Sequence, residues 1–313
     1  MSRPILFAGG SNPMLAQRIL DNSLALKGEL TIKRFSNENI KVKIEESVRG
    51  RDVYVLQTSC NPVSDNIMEL LIMVHALKGA SADRITAVLP YFPYVRSDKK
   101  DEPRISITAR LMADLLATAG ADRVLTMDLH ADQIHGFFSI PVDQLSALPV
   151  FYNHFKNMSL ESPVIVANDV GRAKLNSKYA HLLSCPLAIL DKRRHHDDEK
   201  AIVSDIIGSV GGRDVITFDD EILTGGSLME LIKTLKREGA LKIYAGITHG
   251  VLSGLAIPNI NKADIEKLYI TDTIPLVTPS TKIEILSVSK LFGEAINRIH
   301  ERKSISALFE GVL

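Results

Sequence analysis

The chain of 313 residues has two cysteines, no tryptophan and no excess charge of either sign. Cys60 and Cys185 lie far apart in the sequence and match no metal or redox spacing, so we expect two reduced, partly buried thiols. The 37 Lys and Arg residues balance 37 Asp and Glu residues. This balance argues against a broad electrostatic surface for duplex nucleic acid or an anionic membrane, and neither partner is expected.

Long hydrophobic runs are also missing. No stretch reaches the roughly 18 apolar residues that cross a bilayer, and the apolar part of the N-terminus is too short for a signal peptide. We therefore expect a soluble, cytoplasmic protein. The 45% apolar content excludes a disordered chain. At about 100 to 200 residues per domain, the length predicts two domains with a core each.

Short runs of Val, Ile and Leu alternate with helical patterns, which is typical of an α/β fold built on mostly parallel sheets. The pattern starts again after Pro149, which predicts two similar domains at residues 1–148 and 149–313. The predicted strands are 5–8, 52–56, 85–89, 124–127, 164–167, 187–190, 214–218 and 243–247. The predicted helices include one from Ser11 to about Leu26, one around 66–78 and one around 108–119. Three Gly-Ala pairs, at Gly79, Gly120 and Gly239, each end a helix before a strand and weakly indicate a duplicated unit.

The segment 215–227 carries the clearest chemical signal, because a strand leads through an acidic loop into an amphipathic helix. Gly225 and Gly226 allow backbone N–H groups to close around a phosphate, and the hydroxyls of Thr224 and Ser227 add donors. The adjacent carboxylates of Asp219 and Asp220 suit vicinal hydroxyls or a divalent ion. Together they describe a sugar phosphate, whereas the glycines alone are also typical of a surface turn that caps a helix.

Three further polar segments follow strands. Asp128 and His130 are two residues apart at a strand end, where open α/β sheets bind ligands. From chemistry alone, His130 suits a phosphate or a metal-bound water better than direct binding of Mg²⁺. The loop 91–104 carries cations that can fold over a polyphosphate, Arg96 among them. The charge run 191–200 has three cations directly after a strand, although such a run is equally typical of a solvated surface.

Together these segments resemble those of ribose-phosphate pyrophosphokinases, over nearly the whole length of the chain. The motifs that carry the resemblance are Phe35-Ser36, Ile44 to Gly50, Met68 to Val74, Asp128 to Ala131, Asp191 to Arg194, Thr248-His249 and Ser304 to Ser306. The resemblance implies two tandem domains of the type I phosphoribosyltransferase fold and a homo-oligomer, from dimer to hexamer. It also implies transfer of the pyrophosphoryl group of Mg-ATP to the C1 hydroxyl of ribose 5-phosphate, with AMP as the second product.

The resemblance also assigns site residues, with Mg²⁺ as the cofactor. The implied ATP-binding residues are Phe35, Asn37, Glu38, Asn39, Arg96, Ser97 and His130. Those for ribose 5-phosphate are Arg194, Asp219, Asp220, Leu223, Thr224, Gly225, Gly226 and Ser227. Lys192 and Arg194 are the implied catalytic residues, and His130 and Asp169 hold the metal. Displacement at phosphorus through a loose transition state needs positioning and charge neutralisation, which this set of cations can supply.

The sequence departs from the family pattern at several of these positions. Asn37 and Asn39 replace an acidic pattern near adenine, Ser97 replaces Gln, Leu223 replaces an Asp, and Arg172 stands where a second Gly is typical. These changes leave an alternative open, in which the chain is a weakly active or inactive regulatory subunit beside an active paralogue. A third hypothesis is a phosphoribosyltransferase that consumes the product, although a single phosphate loop would suffice for that reaction.

Overall fold

The computed structural model describes residues 2–194 and 202–309, with the backbone alone at 191–194 and 202–205. The described chain divides into two compact units. The first unit comprises residues 2–146, 273–275 and 287–309, and the second comprises residues 147–272 and 276–286, the gap at 195–201 aside. The predicted domains 1–148 and 149–313 stay a prediction. The compact units differ from them mainly at the C-terminal helix, which packs with the first unit.

The first unit is built on a parallel six-stranded sheet with the order β2-β1-β5-β6-β7-β8. Its strands are β1 (Ile5–Ala8), β2 (Leu26–Lys27), β5 (Asp52–Leu56), β6 (Arg84–Leu89), β7 (Arg123–Met127) and β8 (Val142–Leu145). A separate antiparallel hairpin consists of β3 (Leu30–Arg34) and β4 (Ile40–Ile44). The helices are α1 (Pro13–Asp21), α2 (Val63–Gly79) and α3 (Thr108–Ala119), with a 3-10 helix at Asp132–Phe137.

The second unit is built on a seven-stranded sheet with the order β11-β10-β9-β12-β13-β14-β15. Its strands are β9 (Val164–Ala167), β10 (Leu187–Arg194), β11 (Ile202–Ile207), β12 (Val215–Ile222), β13 (Ile243–Gly250), β14 (Lys267–Thr271) and β15 (Ile283–Leu286). The helices of this unit are α4 (Leu148–Phe155), α5 (Ala173–Leu182), α6 (Gly226–Arg237) and α7 (Ala256–Lys262), with a 3-10 helix at Val170–Arg172. All its neighbouring strands run parallel except β11, which is antiparallel to β10.

The two sheets repeat one strand order. Each sheet contains six parallel strands once the hairpin strands β3, β4 and β11 are set aside. When these six are counted along the chain, their order across the sheet is second, first, third, fourth, fifth, sixth in both units. The central strands bury apolar side chains on both faces, as parallel strands covered by helices do, and all eight residues of β13 are buried, whereas both residues of the edge strand β2 are exposed. This finding confirms the α/β class and the repeated architecture expected from the sequence.

The last long helix, α8 (Ser289–His300), belongs to the first unit. Gly293 allows α8 to approach α1 closely, because a Cβ atom there would lie 2.4 Å from the carbonyl oxygen of Asn22. The Asn297 side chain accepts a hydrogen bond of 2.7 Å from the backbone N–H of Leu24. A 3-10 turn at Ser306–Phe309 follows the helix. The described chain therefore ends on the unit in which it began.

Local differences from the sequence expectations have physical causes. The first helix ends at Asp21 instead of continuing to about Leu26, because Leu26 pairs with Ile5 in the sheet. After α2, the residue in the left-handed conformation is Ser81, with φ of 65°, and not Gly79. After α3 and α6, Gly120 and Gly239 adopt this conformation. Cys60 and Cys185 are free and half-buried, and burial raises the pKa of both thiols. Within the described ranges, no helix combines the length and the apolar content that a bilayer crossing needs.

Candidate functional site

The carboxylates of Asp219 and Asp220 lie inside β12, which continues to Ile222, and not in a loop after it. The strand is longer than predicted because β13 pairs with it as far as Ile222, opposite Gly250. Asp220 is only 5% exposed. The backbone N–H of Asp220 donates to Asp219 Oδ1, and that of Glu221 donates to Asp220 Oδ1, both at 2.9 Å. The two carboxylates are therefore held in fixed positions at the carboxyl end of a central strand.

Arg172 bridges the two carboxylates. Its Nε lies 2.8 Å from Asp219 Oδ1, and its Nη2 lies 2.5 Å from Asp220 Oδ1. Burial lowers the pKa of Arg172, but the carboxylates of Asp219 and Asp220 outweigh burial, so the net shift is upward. The guanidinium is therefore a fixed positive charge. The sequence had marked this position as a departure from the family and had given it no role.

Two buried asparagines brace the strand that carries the carboxylates. Asn168 accepts from the Thr217 hydroxyl and donates to Asp219 Oδ2, both at 3.1 Å. Asn176 donates to the carbonyl oxygen of Phe218 and accepts from its N–H, both at 3.0 Å. The aromatic ring of Tyr179 stacks on that of Phe218, with centroids 3.5 Å apart. No local pattern in the sequence identifies the two asparagines, because only the fold brings them to β12.

Burial and charge shift the acidity of Asp219. Burial raises the pKa of Asp219 to about 7, and a side-chain hydrogen bond with Asp220 adds to the rise, whereas the Arg172 guanidinium and the backbone N–H of Asp220 oppose it. A raised pKa is the expected result when two carboxylates share one partly desolvated site. Shifted acidity together with a fixed counter-charge is typical of functional sites.

The loop after β12 leads directly into α6 and has the form of an anion cradle. Gly225 adopts the left-handed conformation with φ of 78°, and the helix begins at Gly226. Backbone bonds from Leu252 to Ile222 and from Ser253 to Leu223 hold the start of the loop, at 3.1 and 2.9 Å. Thr224, Gly226 and Ser227 are exposed, whereas Leu223 is half-buried. A helix N-terminus with exposed N–H groups and hydroxyls is suited to a phosphate.

Asp169 stands at the start of the helical segment that carries Arg172. Its Oδ1 accepts the backbone N–H of Arg172 at 2.9 Å, and the residue is exposed. Among the described residues, no group of three or more His, Cys, Asp or Glu side chains is placed to hold a metal. Mg²⁺ often binds through one or two carboxylates together with substrate phosphates and water, so an exposed carboxylate here fits that ion.

In the first unit, His130 and Arg96 follow two neighbouring parallel strands, β7 and β6. Asp128, with φ of 37°, turns the chain after β7, and His130 is half-buried. Arg96 is exposed in the loop after β6. Buried Asp98 accepts a 2.5 Å hydrogen bond from Gln133 and so joins that loop to the 3-10 helix that follows His130. The two predicted ATP segments therefore lie at the same edge of one sheet.

The remaining predicted residues lie on hairpins. Phe35, Asn37, Glu38 and Asn39 form the exposed turn between β3 and β4, closed by a 2.9 Å bond from the Phe35 N–H to the Asn39 carbonyl. Arg34 steadies this turn by pairing with Glu38 at 2.9 Å and with Asp65 of α2 at 2.7 Å.

Lys192 and Arg194 lie in β10, where their backbones pair with Ser204 and Ile202 of β11. Their side chains, and the rest of the charge run at 195–200, lie outside what the structure describes. The hairpin nevertheless places both residues on an extension of β10, beyond the part of that strand that pairs with β9.

The chain is similar to known proteins over its whole length. Residues 4–120 match the family described as the N-terminal domain of ribose phosphate pyrophosphokinase, and residues 196–310 match the phosphoribosyl synthetase-associated domain. A ribose-phosphate pyrophosphokinase of Chlorobaculum tepidum is 48% identical, covering 99% of this chain and 96% of its own length. That of Clostridium acetobutylicum is 46% identical, with 97% of each chain covered. The crystal structure of phosphoribosylpyrophosphate synthetase from Mycobacterium smegmatis superposes with a TM-score of 0.89 at 37% identity, covering 96% of this chain and all of that one.

Proposed function

The chain belongs to the ribose-phosphate pyrophosphokinase family and makes 5-phosphoribosyl 1-pyrophosphate, and we propose that the β12–α6 segment binds its ribose 5-phosphate. The arrangement of Asp219 and Asp220 just before the Thr224–Ser227 cradle carries this proposal. A phosphate at the helix N-terminus places the sugar ring back toward β12. There the carboxylates accept hydrogen bonds from ring hydroxyls.

ATP is assigned to the residues that follow β6 and β7. Arg96 neutralises phosphate charge, His130 donates to a phosphate or a metal-bound water, and the turn Phe35 to Asn39 contributes adenine contacts. Asp169 and His130 are the residues that would hold Mg²⁺, which supplies charge neutralisation at the phosphates when bound. The carboxylate of Asp169 suits this hard cation better than the imidazole does.

The reaction transfers the β,γ-pyrophosphoryl group. The C1 hydroxyl of ribose 5-phosphate loses its proton to solvent and its oxygen bonds to the β-phosphorus. The bond from that phosphorus to the α,β-bridging oxygen breaks, and AMP leaves with that oxygen. We assign Lys192 to the charge that develops in the transition state, and Arg194 to a bidentate phosphate contact. Leu223 lies in the phosphate loop without a charge to contribute. A homo-oligomer and a cytoplasmic location remain predictions.

Release of AMP tests this function directly. The purified chain is incubated with Mg²⁺ and ATP, with and without ribose 5-phosphate, and AMP is quantified. Sugar-dependent AMP in equal amount to the phosphoribosyl pyrophosphate formed is the expected result. A folded chain that binds ATP but releases no AMP would contradict the proposal and favour the regulatory-subunit alternative. The Asp219→Asn and Asp220→Asn variants should lose ribose 5-phosphate binding before they lose ATP binding.

A further inference from the structure

We infer that Arg172 determines how strictly the site distinguishes ribose 5-phosphate from its 2-deoxy analogue. The inference rests on the proposed sugar-phosphate site. Arg172 donates to Oδ1 of Asp219 and to Oδ1 of Asp220, the two carboxylates assigned to the sugar hydroxyls. The guanidinium therefore occupies acceptor atoms that the hydroxyls of the sugar would otherwise use.

The accepting capacity of these carboxylates is largely used. Oδ1 of Asp219 accepts from Arg172 Nε and from the N–H of Asp220, and Oδ1 of Asp220 accepts from Arg172 Nη2 and from the N–H of Glu221. Oδ2 of Asp219 accepts from Asn168. Each carboxylate oxygen has two lone pairs, so both Oδ1 atoms already have two donors. A sugar hydroxyl can reach either Oδ1 atom only by displacing Arg172, so a closed bridge leaves only the Oδ2 atoms to accept from the sugar.

The bridge is costly to open. Arg172 lies at the end of a short 3-10 helix, and its backbone N–H donates to the side chain of Asp169, which caps that helix. Its guanidinium makes charge-assisted bonds to two carboxylates at once, and the side chain is 22% exposed. We therefore expect the bridge to persist when the sugar phosphate binds through the Thr224–Ser227 cradle. Fewer hydroxyls are then recognised by a charged acceptor, and loss of the 2-hydroxyl has a small effect on binding.

The test measures the ratio of dissociation constants for 2-deoxyribose 5-phosphate and ribose 5-phosphate. Calorimetry is done with Mg²⁺ and α,β-methylene ATP present, because the carbon bridge of this analogue prevents transfer. For wild type we expect a ratio below about fivefold, equivalent to one weak net hydrogen bond. Arg172→Gly keeps the backbone N–H that Asp169 caps and frees the carboxylates, so its ratio should rise to between about tenfold and 150-fold, the range for a bond to a charged acceptor.

Two further variants separate the bridge from simple charge. Arg172→Lys keeps the positive charge but loses the planar fork that spans both carboxylates, so its ratio should fall between those of wild type and Arg172→Gly. Lys178→Ala removes an exposed cation from α5, the helix that follows Arg172, and its ratio should equal that of wild type. Thermal unfolding identifies any variant that has lost its fold, in which case Arg172→Lys alone is compared with wild type.

The outcomes are distinct. A wild-type ratio of a hundredfold, or equal ratios in the folded Arg172→Gly and wild-type proteins, would overturn the role of Arg172 while leaving the proposed function intact. Failure of the wild-type chain to bind either sugar phosphate would overturn the sugar-phosphate site itself, and the role of Arg172 with it.

Discussion

Removing the Asn176 side chain should loosen the strand that carries the candidate sugar-binding carboxylates. β9 pairs with β12 only at Val215 and Ile216, so the backbone of Phe218 has no strand partner on that side. The amide of Asn176, which is fully buried, takes the place of the missing strand and bonds both the N–H and the C=O of Phe218 at 3.0 Å. Asn176→Ala leaves both backbone groups buried and unpaired.

The magnitude follows from these two groups. A buried polar group left without a partner costs about 1–3 kcal/mol, so two groups cost about 2–6 kcal/mol. Water that enters the space left by the amide recovers part of this cost, and we expect a loss of about 3 kcal/mol in the free energy of unfolding. Ser177→Ala, an exposed neighbour on the same helix, should change it by less than about 0.5 kcal/mol.

Hydrogen exchange is the most direct assay, because the two compact units need not unfold together. Exchange of the Phe218 amide should accelerate by roughly two orders of magnitude in Asn176→Ala and stay unchanged in Ser177→Ala. Urea unfolding followed by tyrosine fluorescence gives the corresponding loss in stability. Unchanged Phe218 exchange, together with a loss below about 1 kcal/mol, would refute the view that Asn176 substitutes for a strand.

The remaining predictions concern catalysis, the phosphate cradle and pH. Lys192→Ala should lower turnover about a hundredfold or more with the fold intact, as for loss of one strong electrostatic donor, and unchanged steady-state turnover would remove Lys192 from the mechanism. Gly226→Val should raise the KM for ribose 5-phosphate far more than that for ATP. The fold accommodates it, since a Cβ atom there would lie 3.9 Å from Thr224 Oγ1, and equal changes in both KM values would contradict the cradle. The pKa of Asp219 is about 7 in the folded protein and has its ordinary value of 3.8 in the unfolded chain. Its protonation therefore stabilises the fold fully below about pH 4, and this stabilisation is lost as the pH rises through 7. Urea titrations at pH 5 and pH 8 should therefore show a smaller loss of stability in Asp219→Asn than in wild type, and an equal loss would place the pKa elsewhere.

The positions of most strands and helices follow from the sequence because apolar runs must be buried in any α/β fold. Helix α3 and strands β1, β5 and β9 begin and end where the pattern predicts. The end of α1 could not be predicted, because Leu26 continues the apolar pattern of the helix and only the edge of the sheet takes it into β2. Local propensity gives way to tertiary pairing at such positions.

For the candidate site, the sequence predicts the chemistry of the β12–α6 segment but not what surrounds it. Asp219, Asp220 and the glycines are adjacent in the chain, so their pattern is visible directly. Arg172 lies 48 positions before Asp220, and Asn176 lies 42 positions before Phe218. Nothing local in the sequence indicates that the 3-10 helix Val170–Arg172 and α5 bring these two residues to β12. An arginine directly after Asp169-Val170-Gly171 was the one available signal, and its meaning depends on the fold.

The repeated strand order places the antiparallel hairpins of the two units at equivalent points of the chain. In both units an antiparallel hairpin occurs before the third strand of the common order: β3–β4 forms a separate pair in the first unit, and in the second unit β10, the second strand, pairs with β11 at the edge of the sheet. One hairpin carries the proposed adenine contacts, and the other carries Lys192 and Arg194. The two units thus share one sheet architecture and differ at this point of the chain, where the first carries a proposed nucleotide-recognition element and the second carries the proposed catalytic residues.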